Sequence, residues 1–199
     1  IAPQGVSIIS DIDDTIKHSQ VTDKSELLQN TFLRKFRAVE GMPELYAGLA
    51  STEVAFHYVS GSPWQLYDPL SRFMSEAGFP EGTFHLKQFR LKDSSVLDIL
   101  SSQDETKIAA ITPLLKAFPE RYFILFGDSG EQDPEIYGQI ARQHANQIIG
   151  IFIRNVTGEK SDDLRYSDAF QNVPRDHWTV FEEVSEIAEQ IIKQAGAKR

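Results

Sequence analysis

Ser7-Ile8-Ile9-Ser10-Asp11-Ile12-Asp13-Asp14-Thr15 joins a short apolar run to an abrupt cluster of aspartates. Carboxylates crowded at the end of a buried strand repel one another and cost desolvation energy. They persist mainly where a cation or a chemical task compensates. A second cluster, Gly127-Asp128-Ser129-Gly130-Glu131-Gln132-Asp133, follows a second apolar run, Tyr122-Phe123-Ile124-Leu125-Phe126. Two strand ends that each deliver aspartates predict a shared divalent-metal site.

Apolar runs of this kind recur between amphipathic segments. Strands are predicted over residues 6–10, 54–59, 83–88, 122–126 and 148–153. Their near-continuous hydrophobicity fits strands buried on both faces of a parallel sheet. Helices are predicted over 43–50 and 63–77, each with proline in its first turn, over 104–118, and over 134–144 behind an Asp133 cap. A final helix carries Phe181, Val184, Ile187, Ala188, Ile191 and Ile192 on one face. The alternation predicts an α/β, three-layer, Rossmann-like fold: a mainly parallel five-stranded sheet with helices on both faces. Ligands of such folds sit at the carboxyl ends of the strands. A single domain is expected over 1–199, with its core at about residues 6–193. Insertions at 17–39 and 89–103 are too short for a separate cap, so an open cleft with local flaps is expected. Residues 157–175 are polar and read as a surface loop.

Composition narrows the function classes. The 41% hydrophobic and 25% charged content is ordinary for a soluble globular domain. Neither a signal peptide nor a transmembrane segment is expected. The chain opens on Ile1 rather than Met, and a processed fragment of a longer protein is the expectation. Cysteine is absent, which excludes disulfide scaffolds, thiolate metal sites and cysteine nucleophiles. A net charge of -9 argues against a nucleic-acid partner, which calls for a basic footprint. The histidines show no metal-ligand spacing.

Several groups fall at one edge of the predicted sheet. Asp11 and Asp13 end the first strand, and Ser60 ends the second, in Ser60-Gly61-Ser62-Pro63. Lys107 starts the helix before the fourth strand, and Asp128 and Asp133 follow that strand. This order resembles the haloacid dehalogenase (HAD) superfamily. Its phosphatases share a DxDx[TV] nucleophile motif, a Ser or Thr after the second strand, a lysine, and a final acidic motif. Lys87, Lys92 and Lys116 compete for the lysine role, and the place of Lys107 near a helix start favours it. Ser10 to Ser19, Ser60-Gly61-Ser62-Pro63-Trp64, Asn30-Thr31-Phe32 and Gly127 to Glu135 are similar, more narrowly, to the catalytic domain of actin-patch-protein-type phosphatidate phosphatases.

The resemblance implies a mechanism. Asp11 is the nucleophile and forms an aspartyl-phosphate, and Asp13 is the general acid and base. Asp11, Asp128, the backbone carbonyl of Asp13, and Asp133 hold Mg²⁺. Ser60 and Lys107, with the backbone around Ile12 and Gly61, bind the phosphoryl oxygens. The implied substrate is phosphatidate, with a phosphoprotein or a small phosphorylated metabolite as the alternative. A non-catalytic lipid-binding HAD-like module is the other class, but such modules lose the nucleophile that Asp11 supplies. Phe32-Leu33-Arg34-Lys35-Phe36-Arg37 mixes bulky apolar and basic side chains. Its short length favours an amphipathic packing segment; the alternative is a rim of Phe32, Arg34, Lys35, Phe36 and Arg37 touching a membrane. A cytoplasmic location is the expectation, with peripheral membrane contact as the alternative.

Overall fold

The structure, a computed structural model, describes residues 1–18, 36–51, 53–87 and 103–197. The strands are β1 (Gly5–Asp11), β2 (Ala55–Pro63), β3 (Thr83–Lys87), β4 (Arg121–Asp128), β5 (Ile148–Arg154) and β6 (Trp178–Phe181). The helices are α1 (Met42–Ala50), α2 (Tyr67–Ala77), α3 (Gln103–Ala117), α4 (Asp133–Gln143), α5 (Leu164–Ala169) and α6 (Ala188–Gly196). All strand pairs are parallel, in the order β3-β2-β1-β4-β5-β6. The order reverses between β1 and β4, and such a switch point opens a crevice at the carboxyl edge. Asp11 and Asp128 end those two neighbouring strands.

Alternate side chains of each strand face opposite layers. Ile8, Ile124, Phe126 and Phe152 pack on one face with Met42, Leu45 and Tyr46 of α1, Phe73 of α2 and Ile191 of α6. Ile9, Phe123, Leu125, Ile151 and Ile153 pack on the other with Leu115 of α3, Ile136 and Ile140 of α4, and Tyr166 of α5. Both faces are covered, which is why the strands read as continuous apolar runs. At the opposite edge Arg121 is buried, its Nε donating to Ser7 Oγ at 2.9 Å and its Nη1 to the Ala2 carbonyl at 2.7 Å.

Five expectations are corrected. The sheet has six strands rather than five: Trp178–Phe181 pairs with Ile151–Arg154 as an edge strand too short to announce itself. Phe181 therefore belongs to β6, Val184 to a 3₁₀ turn, and Ile192 is exposed, so the last helix begins later and buries a narrower face. Pro63 ends β2 in extended conformation, and a 3₁₀ turn, Trp64–Leu66, precedes α2. The stretch 157–175 is no mere surface loop, since α5 buries Tyr166 and Ala169 there. Asp133, moreover, is the first residue of α4 rather than its cap, and its carboxylate turns toward the site.

The insertion over 89–103 lies almost wholly outside the described residues, as do most of 17–39 and, within the candidate rim, Phe32, Arg34 and Lys35. Of the rim residues described, Arg37 is exposed, whereas Phe36 is half-buried and meets Phe73 edge-on with ring centroids 5.6 Å apart. Phe36 is a packing residue. Among the described residues no helix is long and apolar enough to cross a membrane.

Candidate active site

The chain leaves β1 in a tight turn. Ile16 and Lys17 donate their amides to the Ile12 carbonyl at 3.1 and 3.0 Å, and Asp14 donates to the Lys17 carbonyl at 2.7 Å. Asp14 adopts a left-handed conformation, φ 52°, which aspartate tolerates better than bulkier residues. Its carbonyl accepts Arg154 Nη1 at 2.7 Å, so β5 braces this turn. The Ile12 side chain is buried in the core, which leaves only its backbone for a ligand.

Asp11 and Asp13 leave this turn for different surroundings. Asp11 is buried; Thr15 Oγ1 donates to its Oδ2 at 3.2 Å, and Lys107 Nζ lies 2.9 Å from its Oδ1. Behind it, Ser10 Oγ donates to the Asp11 carbonyl at 2.7 Å and accepts the Tyr46 hydroxyl at 2.9 Å. Asp13 turns the other way. Ser60 and Ser62 hydroxyls each donate to its Oδ2 at 3.0 Å, and Lys17 Nζ lies 2.6 Å from its Oδ1. Burial would raise its pKa, but the Lys17 ammonium and the two serines outweigh burial and hold it below the ordinary carboxylate range.

The second acidic loop closes on the same point. Asp128 Oδ1 accepts the amides of Gly130 and Glu131 at 2.6 and 3.1 Å. Asp133 Oδ2 accepts the Asp128 amide at 3.1 Å, while its Oδ1 pairs with Lys107. Gly127 makes this possible, because a Cβ there would lie 2.6 Å from the Asp133 Cβ. Arg165 ties the loop from outside: it donates to the carbonyls of Ser129 and Glu131, both at 2.6 Å, and to Glu135 at 2.8 and 3.2 Å.

Asp11, Asp128 and Asp133 thus bring carboxylate oxygens within 4.8 Å of one another, all buried. Glu131 stands beside them, 2.9 Å from Lys107. One ammonium cannot balance this many negative charges. Burial, more than the neighbouring carboxylates, raises the pKa of Asp11 well above its ordinary value, raises that of Asp133, and pushes Asp128 up to about 7. Lys107 is also raised, but for the opposite reason: burial opposes its charge, and Asp11 and Asp133 overcome burial. Asp128 Oδ2 is buried without a hydrogen-bond partner among the described residues. A buried acceptor with no donor, beside two further carboxylates, fits a bound cation. The cluster can hold one metal ion.

Among the residues expected from sequence, Asp11, Lys107, Asp128 and Asp133 meet at this cluster, and Asp13, Ser60 and Gly61 form its flank. The Asp13 side chain stands apart from the metal-binding group. Lys17, Ser62, Glu131 and Arg165 were not singled out. Lys17, Ser62 and Glu131 carry a signal, since each lies within one of the motifs of the site.

A sequence profile described as "Phosphatidate phosphatase APP1, catalytic domain" matches residues 6–155. The chain belongs to this family. It is 39% identical over 176 residues to the Saccharomyces cerevisiae phosphatidate phosphatase APP1, a match covering 86% of this chain and 30% of the yeast protein. It is 31% identical over 159 residues to an uncharacterized Schizosaccharomyces pombe protein, covering 78% of this chain and 26% of that one. The APP1-family chain thus spans between a quarter and a third of these relatives. Its fold is shared with a Thermotoga maritima protein assigned as a β-phosphoglucomutase. That likeness has a TM-score of 0.51 at 12% identity and covers 94% of this chain and 98% of the other.

Proposed function

We propose that this domain is a Mg²⁺-dependent phosphatidate phosphatase that releases diacylglycerol and inorganic phosphate. The observation that carries the reading is the buried meeting of Asp11, Asp128 and Asp133 around the partnerless Asp128 Oδ2, in a chain of this family. Asp11, Asp128, Asp133 and the Asp13 backbone carbonyl would hold the ion. All are hard oxygen donors, which suits Mg²⁺. When bound, the ion neutralises carboxylate charge and lets an anionic nucleophile approach an anionic phosphate.

The chain's own groups divide the remaining work. Thr15 and Lys107 fix the plane of the Asp11 carboxylate, whose oxygen attacks phosphorus as the phosphorus–alkoxy bond breaks. The departing oxygen keeps the electron pair and takes a proton from Asp13. An incoming phosphate dianion favours that protonated form, by like-charge repulsion. Water then attacks the aspartyl-phosphate while Asp13 recovers a proton, which frees phosphate and restores Asp11. Ser60, turning its one hydroxyl hydrogen from Asp13 to substrate, binds the phosphoryl oxygens with the Gly61 amide and Lys107 as charge redistributes.

The test is phosphate release from phosphatidate in mixed micelles, with Mg²⁺ and with EDTA. Release is expected with the metal only, and Asp11→Asn is expected to abolish it while circular dichroism is unchanged. Metal-independent release, or near-normal turnover by folded Asp11→Asn, overturns the mechanism. Far more efficient cleavage of a water-soluble phosphomonoester overturns the lipid assignment.

A further inference from the structure

The two reactive aspartates each have their own lysine. Lys107 reaches Asp11, and Lys17 reaches Asp13, at 2.9 and 2.6 Å. Lys17 is 6% exposed, an unusual place for a lysine on a turn. Its backbone makes isolated bridges to both Asp13 and Ala38, and its Nζ lies 5.0 Å from the Phe36 ring centroid. Phe36 rests in turn on Phe73 of α2. A chain of packing from α2 therefore ends in one ammonium aimed at one carboxylate oxygen. The serines hold the other oxygen.

We propose that Lys17 is a positioning residue for proton transfer: its ammonium fixes the Asp13 carboxyl in the orientation that serves the leaving group. A general acid must come within about 2.6–3.2 Å of the oxygen it protonates, so a carboxyl one rotamer away delivers no proton. The serines act on Oδ2, and Lys17 fixes the direction of Oδ1. The inference rests on the phosphatase reading but not on the lipid.

Leaving groups separate this role from a structural one. A p-nitrophenolate departs with little help, whereas an alkoxide needs its proton as the bond breaks. The quantity to measure is kcat/KM with Mg²⁺, because it reports the step in which the leaving group departs. For Lys17→Met, cleavage of hexyl phosphate is expected to fall about 100-fold and that of p-nitrophenyl phosphate less than about threefold. Asp13→Asn should show the same imbalance, and combining it with Lys17→Met should add nothing further. Lys17→Arg, which keeps the charge, should recover part of the hexyl phosphate rate and serves as the test if Lys17→Met does not fold. Equal losses on the two esters, or no loss on either, overturn the proposal. Wild-type protein that cleaves neither ester overturns the phosphatase reading and this inference together. Wild-type protein that cleaves both but not phosphatidate overturns only the lipid assignment.

Discussion

Lys107 has Asp11, Asp133 and Glu131 within salt-bridge distance and is itself almost wholly buried. Removing one partner from such a group leaves uncompensated buried charge, which costs about 3–5 kcal/mol. Lys107→Met is therefore expected to lower metal-free stability in urea by about 3 kcal/mol. Mg²⁺ should restore much of that loss, while phosphate release stays at least about 100-fold down. Unchanged stability in EDTA would show that the cluster does not depend on this cation. Lysine choice was legible only through motif order, because Lys87 and Lys116 have the same chemistry at other places. The orientation of Ser60 was not legible. Ser-Gly-Ser announces a turn, but not that both hydroxyls donate to Asp13.

At the scale of elements, β1 and β4 followed from continuous apolar runs, and α1 to α4 from the start signals between such runs. The region after β5 did not. Helix α5 is six residues long, and its place depends on tertiary contacts. Arg142 Nη1 donates to the Ala169 carbonyl at 2.7 Å, and Gly138 of α4 leaves room where a Cβ would strike that same carbonyl. From α5, Arg165 reaches the acidic loop and joins both carboxylate oxygens of Glu135 to the Ser129 and Glu131 carbonyls. Glu159 pairs with Arg165 from six residues upstream, but no local pattern marks an arginine whose partners in the acidic loop lie 30 to 36 residues upstream. Groups that orient metal ligands from outside commonly shift affinity by about 10–100-fold. Arg165→Met is accordingly expected to weaken Mg²⁺ binding about 10-fold by calorimetry, with turnover largely recovered at saturating metal. Wild-type affinity in the variant would show that the loop holds its shape without this brace.

Taken as a whole molecule, the fold concentrates negative charge at the β1–β4 switch point, where a bound cation would complete the balance. Such an arrangement should make stability depend on both pH and metal. Burial raises Asp128 to about 7 from an unfolded value of 3.8, so without metal the folded state binds its proton more tightly. This contribution is complete below about pH 4 and is lost as pH rises toward 7. His57 is held down to about 4 by burial and titrates in the same window with the opposite sign. Comparison of wild type with Asp128→Asn cancels the histidine and isolates the carboxylate. In EDTA at pH 4 the two should melt close together. At pH 8 the variant should melt higher, on the order of 10 °C, because an amide carries no charge to bury. Excess Mg²⁺ should reverse that order at pH 8, since only the wild type offers the third carboxylate. A difference in melting temperature that stays constant with pH would mean that Asp128 is ionised throughout, and the cluster would then have no need of an ion to relieve its repulsion.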